Sequence, residues 1–233
     1  CFEDNWPWLG DYDMNDVVVG YSTTFTVDKD NRIVAIRDVV TPLHSGGKLR
    51  SAFGYQLDIP VPAVKGVKIE NGSSTAGLEK NQDKAVVILF DDIEQAVARG
   101  PVSVEIELDG SLSMDKVTRK SLYNPFICVS DKGFVPGAVR KEIHLTNYPP
   151  TSLADPYPFG RNDDKSSLDK AGNPIGPYYY ATSELYPFAI DLPVTDYRIP
   201  DEMVKIDVFY PDFAGWVKSR GEKHKEWYKN SVK

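Results

Sequence analysis

Cysteine and histidine are scarce in this chain, with two cysteines (Cys1, Cys128) and three histidines (His44, His144, His224) in 233 residues. Two cysteines cannot build a disulfide framework. Cys128 stands in the apolar run Phe126-Ile127-Cys128-Val129, where a free buried thiol is the expected state. No histidine has zinc spacing to another histidine or to a cysteine, so a zinc centre is not expected. Positive charge is short as well, with 27 Lys and Arg against 34 Asp and Glu and a net charge of -7. That balance argues against nucleic acid as a partner, because phosphate binding needs a basic face. No apolar run approaches the roughly 18 residues of a membrane-spanning helix. G-x-S-x-G, Walker and G-x-G-x-x-G patterns are missing, and with them the common nucleophile and nucleotide sites.

What the chain has in abundance is carboxylate at its start. Glu3, Asp4, Asp11, Asp13, Asn15 and Asp16 fall within Phe2–Val19, directly before an apolar run. Clustered carboxylates repel one another unless something positive sits among them. Oxygen donors in this density are what a hard cation such as Ca²⁺ takes. Asp11 to Asp16 opens like a D-x-D-x-[DN] calcium loop, but it is no EF-hand. Position six is Asp16 instead of glycine, and position twelve is Ser22 instead of a bidentate glutamate. Further ligands must come from elsewhere, with Asp91, Asp92, Asp163 and Asp164 available. A second reading stays open: the same side chains cap turns by accepting backbone N–H groups.

The rest of the chain reads as short strands between turns. Asp16–Val27 and Arg32–Val40 alternate at period 2 across the turn at 28–31, and a loop follows at Thr41–Gly47. Ser51–Ile59, Val64–Ile69, Val102–Leu108, Leu122–Val129, Arg140–Leu145 and Leu185–Ile190 are further strands. Lys84–Phe90 is apolar throughout and reads as a strand buried on both faces, with one or two helical turns after it at Ile93–Arg99. Asn147–Tyr178 is a proline- and glycine-rich loop whose aromatics imply ordered packing, Val204–Phe209 is a strand or a lead-in to a helix, and Phe213–Asn230 has the spacing of an amphipathic C-terminal helix. The expectation is an all-β fold: one antiparallel β-sandwich over residues 1–233, jelly-roll-like, with a C-terminal α-helix.

Several blocks carry a resemblance. Phe2-Glu3-Asp4-x-Trp6-Pro7-x-x-Gly10-Asp11-Tyr12-Asp13-x-Asn15-Asp16-Val17, Lys84–Asp92, Tyr123–Ile127, Glu142–Asp155, Phe159–Asp164, Trp216 and Trp227-Tyr228 together resemble the LruC-type domain of bacterial surface and outer-membrane proteins, many from Bacteroidetes. The resemblance implies an exported all-β accessory or adhesion domain at the cell surface, in the outer membrane or in the periplasm. It implies no reaction. The chain then reads as the C-terminal part of a longer surface protein, held to a membrane only through an anchor outside this chain. Cys1 is either a cut end or a lipidated mature terminus.

The functional expectation is a non-catalytic, calcium-stabilised surface domain for adhesion or for binding a glycan or a host or matrix protein. Trp6, Trp8 and Tyr179 are candidates to stack on a sugar, although aromatic residues more commonly pack in a core. The alternatives are a polysaccharide hydrolase, with Asp91-Asp92 as its carboxylates, and a purely structural display module. Adjacent residues at a strand end point apart, which disfavours the hydrolase. His144 alternates with Ile143 and Leu145, so it should face solvent or a polar partner.

Overall fold

In the computed structural model, which describes residues 1–194 and 196–232, the period-2 segments pair into two antiparallel sheets. The strands in chain order are β1 (Val18–Val27), β2 (Ile33–His44), β3 (Arg50–Pro60), β4 (Val64–Glu70), β5 (Gly77–Leu78), β6 (Lys84–Phe90), β7 (Val102–Leu108), β8 (Tyr123–Ser130) and β9 (Glu142–His144). The helices are short: α1 (Ile93–Arg99), α2 (Arg119–Leu122), α3 (Ile206–Phe209) and α4 (Phe213–Lys218). One sheet has the order β1-β2-β7-β4 and the other β5-β6-β3-β8-β9.

The sheets face each other across one core. Ile36, Val40, Val104 and Ile106 of the first meet Phe53, Leu57, Val87, Leu89 and Ile127 of the second. Each such side chain contributes about 1.5–3 kcal/mol on burial. β6 is apolar from Ala85 to Phe90 because both its faces are covered: Val87 and Leu89 enter this core, while Val86 and Ile88 join Ala52, Phe126 and Cys128 beneath Phe134 on the outer face. Cys128 is a free, buried thiol there, and burial pushes its pKa up.

The structure corrects three expectations. First, β2 does not stop at Val40 but runs through Thr41–His44. Its pairing with β7 ends at Val40, so Pro42 faces β1 alone and its missing N–H breaks no ladder on the other side. Second, Leu185–Ile190 is no strand. It makes only isolated bridges, Ala181 to Pro187 and Ala189 to Phe2. Third, the helix expected over Phe213–Asn230 is two pieces, α4 and a single turn at Trp227–Lys229. After Ser219 the Gly221 N–H donates to Trp216 O at 2.9 Å and the Arg220 N–H to Val217 O at 2.9 Å, with φ +55° at Arg220 and +83° at Gly221. That left-handed stop terminates a helix whatever apolar spacing follows. His144 takes the second of its two expected settings, polar partners in place of solvent, and is fully buried. Its Nδ1 lies 2.7 Å from Asn124 Oδ1 and its Nε2 lies 2.9 Å from Glu142 Oε2, and its ring stacks between Phe126 and Tyr180.

A second apolar cluster holds the C-terminal elements. Ile206, Phe209, Tyr210, Phe213, Val217 and Trp227 close on Tyr12 and Met14 of the opening segment. The carboxylate-rich start of the chain is thereby sandwiched between the sheets and the C-terminal elements.

Candidate metal centre

The loop at 10–15 is coiled by two non-glycine residues in the left-handed region, Tyr12 (φ +56°) and Met14 (φ +58°). Such conformations cost of order 1–3 kcal/mol each and persist only where the surroundings enforce them. Here Tyr12 and Met14 are buried in the second cluster, and the Tyr12 hydroxyl donates to Pro187 O at 2.7 Å. Asp11 and Asp13, on either side of Tyr12, come together with Glu202, so that one oxygen from each of the three lies within 4.8 Å of the others. Two oxygens bound to one Ca²⁺ at about 2.3–2.6 Å are separated by no more than about 5 Å, so this spacing suits a single ion.

The neighbouring acids are more deeply buried. Glu3, Asp4, Asp13, Asn15 and Asp16 are all 5% exposed or less. Some of their oxygens are used: Glu3 Oε1 accepts the Met14 N–H, Asp16 Oδ2 accepts the Asp4 N–H, Asp13 Oδ1 accepts the Asn15 N–H and Asp13 Oδ2 accepts the Met203 N–H. To that extent the turn-capping reading holds. Four buried oxygens nonetheless have no hydrogen-bond partner among the described residues: Glu3 Oε2, Asp4 Oδ2, Asp11 Oδ1 and Asn15 Oδ1. The amide nitrogen of Asn15 donates to Pro200 O at 3.2 Å, so its unpartnered atom is an acceptor. A buried polar atom left unpaired costs about 1–3 kcal/mol, more when charged. A cap network alone leaves these four uncompensated.

Electrostatics agree. Burial, with Asp16, Asp13 and Asp11 adding to it, pushes the Glu3 carboxyl well above the usual carboxylate range. Burial also raises Asp4, which Lys141 partly offsets. Asp13 is pushed up to about 6 and Asp16 to about 7, in each case chiefly by burial and then by neighbouring carboxylates. Lys141 donates to Asp4 O at 2.8 Å. Its charge acts on Asp4 and Asp16, and its own pKa is lowered by burial. A proton or a metal ion must supply the missing positive charge.

Two glycines admit the cluster. A Cβ at Gly46 would lie 2.1 Å from Asn15 Oδ1, and one at Gly47 would lie 2.2 Å from Asp4 Oδ2. The turn after β2 therefore passes against the carboxylates with no room for a side chain.

Of the further ligands expected from the sequence, none joins this group. Asp91 accepts from the Thr75 hydroxyl, and Asp92 caps α1 by accepting the Gln95 N–H, as a residue at a strand-to-helix junction does. Asp163 reaches the opening segment but accepts the Leu9 N–H at 2.9 Å. Asp164 is consumed by Gly160 and Ser166. The stacking set is likewise dispersed. Trp6 is fully buried edge-on to Phe159, Tyr179 packs beside the core, and Trp8 alone is well exposed, at 59%. Glu202 was missed because it lies in a polar stretch with no periodicity, far along the chain from Asp11.

The fold and this site define a two-sheet β domain whose opening segment carries a buried cluster of oxygen donors. The chain belongs to the family described as a domain of unknown function, DUF4842, which matches residues 31–228. That span takes in every block of the LruC-type resemblance except the opening motif. No curated protein sequence matches the chain. Among solved structures, a lipoprotein candidate from Bacteroides ovatus is similar at 20% identity with a TM-score of 0.65, over 99% of this chain and 72% of the other. A likeness at that identity establishes the fold.

Proposed function

We propose that the chain is an exported, non-catalytic domain of the bacterial cell envelope, of the LruC type, whose opening segment is fastened by one Ca²⁺ and whose role is to bind a ligand at the cell surface. The four unpartnered buried oxygens of Glu3, Asp4, Asp11 and Asn15 carry the calcium reading. Asp11, Asp13 and Glu202 supply a compatible oxygen triangle. Ca²⁺ suits the donor set better than zinc, because every donor is an oxygen and Ca²⁺ accepts six to eight of them in irregular geometry. Export fits the name of the Bacteroides ovatus neighbour and the high calcium outside cells. Among the described residues no helix is long and apolar enough to cross a membrane. Asp91 and Asp92 act locally, accepting the Thr75 hydroxyl and capping α1, which favours the non-catalytic reading over a hydrolase.

The test is thermal denaturation and calorimetry of the purified chain in millimolar calcium and in chelator. Saturable binding of about one Ca²⁺ with a rise in melting temperature is expected. Identical melting in both conditions, with no heat of binding, would overturn the calcium reading and leave the cluster protonated.

A further inference from the structure

A second site lies at the open edge of the sandwich, between β1 of one sheet and β8 of the other, with residues 190–194 and 196–197 across its mouth. The cavity has a volume of about 680 Å³, within the roughly 300–1,000 Å³ of small-molecule sites. Its wall is mostly apolar, with Val19, Val40, Leu43, Phe53 and Ile190 among the lining residues. None of the carboxylate cluster lines it.

The polar groups in the cavity converge on one cation. Asp38 sits on the core face of β2, between Ile36 and Val40, where an apolar residue belongs. Its carboxylate is saturated by three hydroxyls, from Thr23 at 2.6 Å, Tyr55 at 2.7 Å and Tyr123 at 2.9 Å. Arg119 lies beside this group without forming an ion pair to it among the described residues. Its guanidinium is clamped between two rings, 3.4 Å from the centroid of Tyr21 and 4.4 Å from that of Tyr123. It donates one hydrogen bond, from Nη1 to Thr23 Oγ1 at 2.8 Å. Two rings thus lie against the guanidinium, and most of its N–H donors are left over among the described residues. An immobilised guanidinium edge is the group that matches a carboxylate in a two-point contact.

We infer that this cavity binds an amphipathic small molecule, a single carboxylate on an apolar body, with Arg119 gripping the carboxylate and the Val19, Val40 and Leu43 surface receiving the remainder. Asp191 and Asp196 at the mouth disfavour more highly charged anions such as phosphates. Asp38 fixes one of the two rings against Arg119, by accepting the Tyr123 hydroxyl, and Asp191 fixes the other, by accepting the Tyr21 hydroxyl at 2.7 Å. The site deepens the ligand-binding reading above and needs no metal.

The experiment uses cis-parinarate, a fluorescent carboxylate, titrated below its micelle concentration into the chain in calcium and in chelator. Saturable one-site binding is expected, displaced by decanoate and at least tenfold less well by decan-1-ol or decyltrimethylammonium. Arg119→Met should weaken it at least tenfold. Leu43→Glu, at a lining position 45% exposed, should weaken it severalfold without disturbing the fold. Absence of saturable binding, or equal affinity in folded Arg119→Met and Leu43→Glu, would overturn the assignment. Binding that survives in a chain showing no calcium response would uphold this site while removing the metal.

Discussion

The backbone N–H of Asp4 donates to Asp16 Oδ2 at 2.7 Å, so two acids twelve residues apart are held together beside the Gly47 backbone. The pairing places negative charge on negative charge inside the fold. Its consequences can be measured.

Asp11→Asn separates metal from cap. Asp11 adds repulsion to Glu3, Asp4, Asp13 and Asp16, and its Oδ1 has no partner. In chelator the amide should melt higher than the parent, because repulsion is relieved. In calcium it should lose most of the metal-induced rise. For a ligand at about 100 times its dissociation constant that rise corresponds to roughly 2.7 kcal/mol, or about 5–10 °C in a domain of this size. Differential scanning fluorimetry in the two buffers reads both signs.

Asp13→Ala should act differently, since Asp13 accepts the Asn15 and Met203 N–H groups. It removes these caps as well as a ligand. A loss of about 1–2 kcal/mol is expected even in chelator, with the calcium increment abolished on top. Equal destabilisation in both buffers, with the increment intact, would assign Asp13 to capping alone.

The pH dependence has a definite sign. Asp13 and Asp16 titrate in the fold at about 6 and about 7, against an ordinary 3.8. Between those values the folded chain holds protons that the unfolded chain has lost, so metal-free stability falls as pH rises from about 4 to 7. Calcium competes with the same protons, so its stabilising increment grows over the same interval. The urea midpoint without calcium should therefore fall from pH 5 to pH 8 while that in saturating calcium stays nearly level, so the gap between them widens.

Gly47→Ala should destabilise the chain by about 1–3 kcal/mol, because the new methyl meets Asp4 Oδ2 at 2.2 Å. Calcium should no longer restore it, since the carboxylate must move aside. Chemical denaturation with a calcium titration reads both effects.

Arg140→Met probes the buried network on the far sheet. Arg140 Nη2 meets Glu79 Oε2 at 2.7 Å and its Nε donates to Glu142 Oε1 at 2.9 Å, with both acids buried. Removing one partner of a buried pair costs about 3–5 kcal/mol, which a urea midpoint registers directly. The calcium increment should be unchanged.

How much of this could be read from the chain depends on how local the signal is. β6 and β7 were legible because pattern and partner coincide: an apolar run marks a strand covered twice, and strict alternation marks one covered once. The carboxylate cluster was legible in composition and half legible in membership. Glu3, Asp4 and Asp11–Asp16 lie together in sequence, whereas Glu202 arrives only through the packing of Tyr12 and Met14 against the C-terminal elements. The broken terminal helix carried its own stop signal in Gly221, which the apolar spacing of Trp216, Val217 and Trp227 masked. Asp38 was open to discovery by period alone, since it shares the Ile36 and Val40 face of β2. Trp6 was ambiguous in principle, because an indole serves a core and a binding platform equally well.

The placing of Phe2 and Glu3 bears on the order in which the chain takes shape. Phe2 bridges both Val17 and Ala189, the Glu3 N–H donates to Phe188 O, and Asp13 accepts the Met203 N–H. A ribosome delivers residues 1–16 long before residues 188–203, so the opening segment emerges without its partners. The two sheets can pair in the meantime, since their strands end at His144. The opening segment is thus made before the strands yet seated among the last, and a chain that stops before Glu202 leaves Asp13 without its Met203 donor and the oxygen triangle without its third carboxylate.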